Sequence, residues 1–328
     1  MKTNPLQVQL GSLTLSNPIM PASGCFGYGE EIGQLYDLSK LGAIVTKATT
    51  LEPRIGNPLP RIAETTSGML NSIGLQNPGV HHVLEHELPF LAQYQSPVLV
   101  NVAGSTLEEM EQVIMLLEES AGVTGYEINI SCPNVSAGGM SFGQNPQSVF
   151  ELTARLRKLT QRFLVVKLSP NVSDIVSIAS AAEEGGADSV SLINTLLGMA
   201  IDTRTGKPIL ARGYGGLSGP AIKPVALYMV YQVSQAISIP VIGIGGIMNI
   251  DDVLQFLMAG ATAVEIGTAH FRNPLICSQL IDELAETLQE RGWRSVEEII
   301  GMAWKNSADK KGEKLNATVV AGKDLCRL

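Results

Sequence analysis

Short apolar runs recur along the chain, separated by stretches whose apolar positions return at helical spacing. Eight runs read as buried strands: residues 19–22, 43–46, 98–102, 126–130, 163–168, 189–193, 241–244 and 263–266. Amphipathic segments over 107–119, 146–160, 174–184, 222–236 and 250–259 fall between them and read as helices. This β-then-α rhythm predicts an α/β fold, a closed parallel (β/α)8 TIM barrel in preference to an open doubly wound sheet. A small hairpin is expected ahead of it, from residues 7–10 and 13–15 around Gly11-Ser12.

Two connections are too long for simple turns, 47–95 and 195–219, and both are rich in glycine. Each leaves the carboxyl end of a strand, the face on which barrels of this kind carry their chemistry, so both are expected to act as lid loops. No low-complexity linker divides the chain. Residues 1–309 are expected to form a single barrel domain, followed by a polar tail over 310–328.

Composition narrows the possible partners. With 328 residues, 45% of them hydrophobic and 16% charged, the chain can bury a large core. A net charge of -8, from 23 basic and 31 acidic side chains, gives no footprint for nucleic acid or anionic lipid. Cys25, Cys132, Cys277 and Cys326 are scattered, with no Cys-x-x-Cys pair or adjacent His at metal-ligand spacing, which fits free thiols in a reducing compartment and no metal site. The N-terminal stretch lacks the pattern of a secretion signal, and no apolar run approaches the roughly 18 residues of a membrane span. A cytoplasmic protein is expected.

The candidate chemistry lies at strand ends. The run Ile239 to Gly246 ends in Gly245-Gly246 ahead of a helix, and the next strand ends in Gly267-Thr268. Glycine also ends strands for steric reasons, but two adjacent stripped strand ends at the usual phosphate seat of a barrel point to a phosphate-bearing cofactor. After the fourth strand comes Asn129-Ile130-Ser131-Cys132-Pro133-Asn134. A thiol there is either an inert buried cysteine or, with an ordinary pKa of about 8.5, a base or nucleophile. Lys47 and Lys167 end strands two and five, where a lone ammonium is costly to bury and calls for an anion. Asn71, Asn101, Asn129, Asn134 and Asn194 cluster in or beside strand ends and lids, which suits a planar, hydrogen-bonding substrate. His81, His82 and His86 read as a solvated helical face.

Taken together, these motifs resemble the class 1 dihydroorotate dehydrogenases, the FMN enzymes of pyrimidine biosynthesis. The resemblance runs from about Leu6 to Ala303 and is carried by Pro21-Ala22-Ser23-Gly24, Thr46-Lys47, Gly56 to Arg61, Asn71 to Leu75, Asn129 to Asn134, Ile193-Asn194-Thr195, Ile244-Gly245-Gly246 and Gly267-Thr268. It implies that Cys132 removes a proton from C5 of dihydroorotate while hydride leaves C6 for the flavin. Lys47, Asn71, Gly74, Leu75, Asn129, Asn134, Asn194 and Thr195 would hold the pyrimidine. Ser23, Lys47, Ala48, Asn101, Asn129, Lys167 and Ile193 would line the flavin, with Gly219, Gly245, Gly246, Gly267 and Thr268 at its phosphate.

Within the class, Gly68-Met69-Leu70-Asn71 and Gly138 to Gly143 resemble the 1B catalytic subunit more than the fumarate-linked 1A enzyme. The 1B form implies a homodimeric core and a separate subunit carrying FAD and a 2Fe-2S cluster, together a heterotetramer that passes electrons to NAD. The tail beyond about residue 310 departs from either class. Two other readings share parts of the pattern. An FMN-dependent tRNA-dihydrouridine synthase would need a basic RNA-binding surface, which the acidic balance opposes. A non-catalytic binding barrel would have no use for a thiol beside a flavin.

Overall fold

In the computed structural model, residues 4–131 and 142–305 are described. Eight strands form one parallel sheet: β1 (Ile19–Pro21), β2 (Ile44–Val45), β3 (Val98–Val102), β4 (Gly125–Asn129), β5 (Phe163–Lys167), β6 (Ser189–Leu192), β7 (Val241–Ile244) and β8 (Ala263–Ile266). They pair in sequential order from β2 to β8, and β8 pairs with β1. The remaining seam, between β1 and β2, is closed by the Gly42 N–H donating to Ile19 O at 3.0 Å. The ring is therefore the expected barrel, with each strand within one or two residues of the range read from its apolar run.

Five helices on the outside match the predicted amphipathic segments: α1 (Leu107–Leu117), α2 (Pro146–Arg157), α3 (Ile175–Glu184), α4 (Lys223–Val233) and α5 (Ile250–Ala259). Four of them start at capping side chains, because Thr106, Asn145, Asp174 and Asn249 each accept from the backbone N–H groups of the first turn. A sixth long helix, α6 (Ile276–Glu290), was not read from the sequence. It buries Ile276, Cys277, Leu280, Ile281, Leu284 and Leu288 along one stripe. The N-terminal hairpin, Val8–Leu10 with Leu13–Leu15, turns at Gly11 against Phe163 and Asp188, at the amino ends of β5 and β6. It covers the bottom of the barrel and leaves the top for the site.

The two long connections differ from expectation. They are not separate loops but contribute to one four-stranded antiparallel sheet, in the order Leu196–Gly198, Gly215–Ser218, Gly68–Asn71, Ile62–Thr65. Gly216 pairs with both Leu197 and Asn71, so the lid after β2 and the lid after β6 are stitched together over the barrel mouth. Their glycines are the reason: a Cβ on Gly68 would press on Ser218 O, one on Gly215 on Asn71 O, and one on Gly216 on Thr195. The tail at 310–328 lies outside the described residues.

Gly42 has no room for a side chain, since a Cβ there would collide with the carbonyl of Asn17 at the closing seam. Gly42→Ala is expected to destabilise the barrel by about 1–3 kcal/mol through overpacking. A urea unfolding midpoint equal to that of the unaltered chain would contradict this role of the seam.

Candidate functional site

A cleft of about 680 Å³ opens at the carboxyl ends of the strands, between the barrel mouth and the stitched lid. Its size suits a cofactor-sized ligand. At one end the protein has removed its side chains. Gly219, Gly245 and Gly246 all adopt left-handed φ, at 93°, 130° and 75°. A Cβ on Gly246 would lie 2.8 Å from both Gly219 O and Lys223 Cβ, and one on Gly245 2.7 Å from Ala226 Cβ. The three backbones are thus packed as a cradle that only glycine permits. Gly267-Thr268 opens a 3-10 turn beside it, and His270 steadies that turn from behind through Nδ1 and Gly267 O, 3.2 Å apart. Backbone amides exposed in this way suit a phosphate.

In the floor of the cleft lies Lys167, 4% exposed. Strand alternation turns Glu127, Lys167, Ser191 and Glu265 inward, and the register sets Asn101 beside Glu127 and Ser191 beside Lys167. The Lys167 ammonium lies 3.2 Å from Glu127, 3.0 Å from Glu265 and 3.1 Å from Ser23 Oγ. Glu127 also accepts from Asn101 Nδ2 at 2.5 Å and from Ser191 Oγ at 2.8 Å. Burial opposes the charge on all three ionisable groups, but the two carboxylates hold the ammonium above the usual lysine range. Burial would raise Glu127, yet Lys167 and its hydrogen-bond donors bring it below the usual range, whereas burial and the Glu127 charge push Glu265 well above it. The anion expected to meet Lys167 is therefore the protein's own.

Lys47 is different. It lines the same cleft, and among the described residues its ammonium has neither an ion pair nor a hydrogen bond. Burial holds its pKa below the ordinary lysine value, only partly countered by Cys25. Nearby carboxamides are also pre-set as donors. Asn129 Oδ1 accepts from Ser131 N at 3.1 Å and Asn194 Oδ1 from Thr195 N at 2.8 Å, which leaves their NH2 groups for a ligand. Asn71 stands on the lid strand, its side chain donating weakly to Gly216 O at 3.4 Å. An ammonium with no partner among the described residues, in a cleft also lined by these amides, suits an anionic group.

The family described as dihydroorotate dehydrogenase matches residues 5–288. This chain belongs to that family. The catalytic subunit of dihydroorotate dehydrogenase B (NAD(+)) from Bacillus pumilus is 57% identical to it over 303 residues, covering 92% of this chain and 98% of the relative. The protein of the same name from Geobacillus sp. strain WCH70 is 56% identical, covering 95% and 98%. Among solved structures, the fold resembles that of the dihydroorotate dehydrogenase of Eimeria tenella crystallised in complex with ferulenol, with a TM-score of 0.76, 22% identity and coverage of 92% and 89%. These relatives bear out the resemblance to the 1B catalytic subunit read from the motifs.

In this chain one cleft gathers Ser23, Lys47, Ala48, Asn71, Gly74, Leu75, Asn129, Lys167, Ile193, Asn194, Thr195, Gly219, Gly245, Gly246, Gly267 and Thr268. Asn101 is the exception. It was expected to line the flavin, but it is fully buried one layer below, where its amide donates to Glu127 and Ser23. Cys132 and Asn134 lie outside the described residues, as do residues 138–141 of the glycine-rich run. The sequence reading missed Glu127 and Glu265. Their signal was a lone acid within each of two otherwise apolar strands, Tyr126-Glu127-Ile128 and Val264-Glu265-Ile266. It also missed Asn171, whose side chain donates to Thr195 O at 3.0 Å and accepts from Leu197 N at 2.9 Å, tying the lid strand to the barrel. Among the described residues no group of His, Cys, Asp and Glu could hold a metal, and no helix is long and apolar enough to cross a membrane.

Loss of the Lys47 ammonium is expected to weaken binding of orotate, a planar carboxylate, by roughly 10–100-fold, the scale of one hydrogen bond to a charged group. Titration calorimetry of Lys47→Ala checks this. Because burial lowers the Lys47 pKa and a bound carboxylate raises it, binding takes up a proton between the two values. Affinity is therefore full below the free-protein pKa and falls as pH rises through it. A pH-independent affinity across that window would remove Lys47 from the anion site.

Proposed function

We propose that this chain oxidises dihydroorotate to orotate in pyrimidine biosynthesis, with FMN in the cleft, as the catalytic subunit of a class 1B dihydroorotate dehydrogenase. The observation that carries this reading is that one cleft is lined both by glycine backbones shaped for a phosphate and by an ammonium, that of Lys47, with no partner among the described residues. Gly219, Gly245, Gly246, Gly267 and Thr268 would hold the ribityl phosphate, and Ser23, Ala48, Ile193 and Lys167 would contact the ring. When bound, FMN would supply the acceptor for the hydride, which carries both electrons of the oxidation.

The chain's own residues account for the rest of the reaction. Lys47 pairs with the substrate carboxylate, and Asn71, Asn129, Asn134, Asn194 and Thr195 bind the ring edge, with the backbone of Gly74 and Leu75 closing above. Cys132 follows directly on Ser131, which lines the cleft, and takes the C5 proton while C6 gives up its hydride, so that a C5–C6 double bond forms. Lys167 keeps positive charge beneath the ring, favouring the negative charge of the reduced cofactor. The stitched lid keeps water from the reacting carbons.

The relatives' name, a catalytic subunit linked to NAD(+), supports a separate partner subunit, which the resemblance to the 1B form implies would carry FAD and a 2Fe-2S cluster. Exposed apolar side chains on the lid, among them Ile55, Leu59, Ile62, Leu197, Met199 and Ile201, support a subunit contact there, in a homodimeric core that becomes a heterotetramer with the partner. The scattered thiols fit a cytoplasmic home.

Anaerobic mixing of the purified yellow protein with dihydroorotate is expected to bleach the flavin absorbance, and no bleaching would refute the assignment. Afterwards, indifference to both fumarate and NAD marks the 1B form, whereas reoxidation by fumarate makes this the 1A enzyme. Cys132→Ser is expected to retain FMN, lose most turnover near neutral pH and recover it at higher pH, because a hydroxyl is the weaker acid. A pH–rate profile identical to that of the unaltered chain would exclude Cys132 as the base.

A further inference from the structure

The cluster under the cleft has an unequal charge count. One ammonium, Lys167, meets two carboxyl groups, each about 1% exposed, and among the described residues no second cation reaches either of them. A full complement of charges would leave one uncompensated anion in the barrel centre, which is costly in a buried site. The hydrogen bonds resolve the count. Glu127 has both oxygens satisfied by Lys167, Asn101 and Ser191, the pattern of a carboxylate. Glu265 Oε2 meets Lys167, but its Oε1 is buried and finds no donor among the described residues. A proton on one of the two carboxyl groups removes the excess anion. Glu265 Oε1, lacking any donor, is the place for it.

We propose that Glu127 and Glu265 share a single proton, leave Lys167 with one compensating charge, and thereby set the reduction potential of the flavin that rests above it. The inference builds on the FMN reading of the cleft. The pair are positioning residues acting through Lys167, the group that reaches the cleft floor beside Ser23. The other ionisable groups facing the cluster are Cys25, whose thiol burial pushes up to about 11, and, beyond it, Lys47. Neither forms an ion pair with the two carboxyl groups.

Sharing one proton has a consequence that independent charges do not. Glu127→Gln removes the anion, but Glu265 then faces Lys167 without a like-charged neighbour and ionises in its place. Glu265→Gln removes only a neutral acid. Either single variant thus keeps one ammonium and one carboxylate, whereas the double variant leaves the ammonium alone. The flavin midpoint potential, measured by dye equilibration of the holoprotein, is expected to stay close to the unaltered value in both single variants. In the double variant it is expected to rise, because an uncompensated cation favours the anionic reduced cofactor.

A potential that rises in each single variant and adds in the double would overturn the shared proton, as would a double variant with an unchanged potential. The infrared spectrum gives a readout independent of the flavin. At neutral pH the protein is expected to show the C=O band of a protonated carboxyl group that disappears in both single variants, and its absence from the unaltered protein would overturn the proposal. If the double variant does not fold, the two single variants and the band decide alone. Failure to bind FMN at all, with the band present, would count against the proposed function and leave the shared proton standing.

Discussion

The rest of the site depends on a lysine held, 4% exposed, in the centre of the barrel. Removing an ammonium from water costs several kcal/mol unless it is paired and hydrogen-bonded, and Lys167 is placed on the one strand where neighbours on both sides can meet that need. β4 supplies Glu127, β8, across the barrel, supplies Glu265, and Ser191 on β6 donates to Glu127 and so holds that carboxylate in place. Parallel pairing fixes this, because a one-residue slip in any of these strands would turn its polar side chain out among the helices. Asn101 belongs to the same set. Its place is below the cleft because its amide is engaged in holding Glu127 and Ser23.

Glycine provides the second condition. A phosphate bound by backbone requires a backbone without side chains in the way, and a lid laid across a barrel mouth requires close backbone approach. Gly245, Gly246 and Gly219 serve the first need and Gly68, Gly215 and Gly216 the second. The two groups meet at Gly219, which ends the lid strand and forms one wall of the cradle. The lid strand thus runs directly in chain into the glycine cradle.

How much of this was legible in the sequence follows from which physical signals are local. The barrel strands were legible because both faces of a buried parallel strand are apolar, and that leaves a contiguous run. The cradle was legible because Gly245-Gly246 and Gly267 sit at the ends of such runs. The lid sheet was not, since the glycines that let its strands approach are the residues that argue for loops, and its pairings join positions roughly as far apart as Asn71 and Gly216. Helix α6 went unread although eight strand-then-helix units call for a helix after the last strand, and Ile276, Leu280, Leu284 and Leu288 recur at helical spacing. Glu127 and Glu265 were visible as single acids in apolar strands, but nothing local says that they meet at one lysine.

The two lysines of the cleft show why pairing, more than position, decides what a charge can do. Both stand at the ends of barrel strands, and sequence alone gives them equal standing as anion sites. Lys167 is compensated inside the protein, so its capacity to capture a free anion is largely spent. Lys47 has no such compensation among the described residues, and burial leaves its charged form disfavoured. The same residue type, three strands apart in the barrel's order, is thus one half of an internal ion pair in one case and without a described partner in the other. In the proposed function, selectivity for a carboxylate-bearing ring rests on Lys47 together with the NH2 groups of Asn129 and Asn194, because these donors have no acceptors among the described residues.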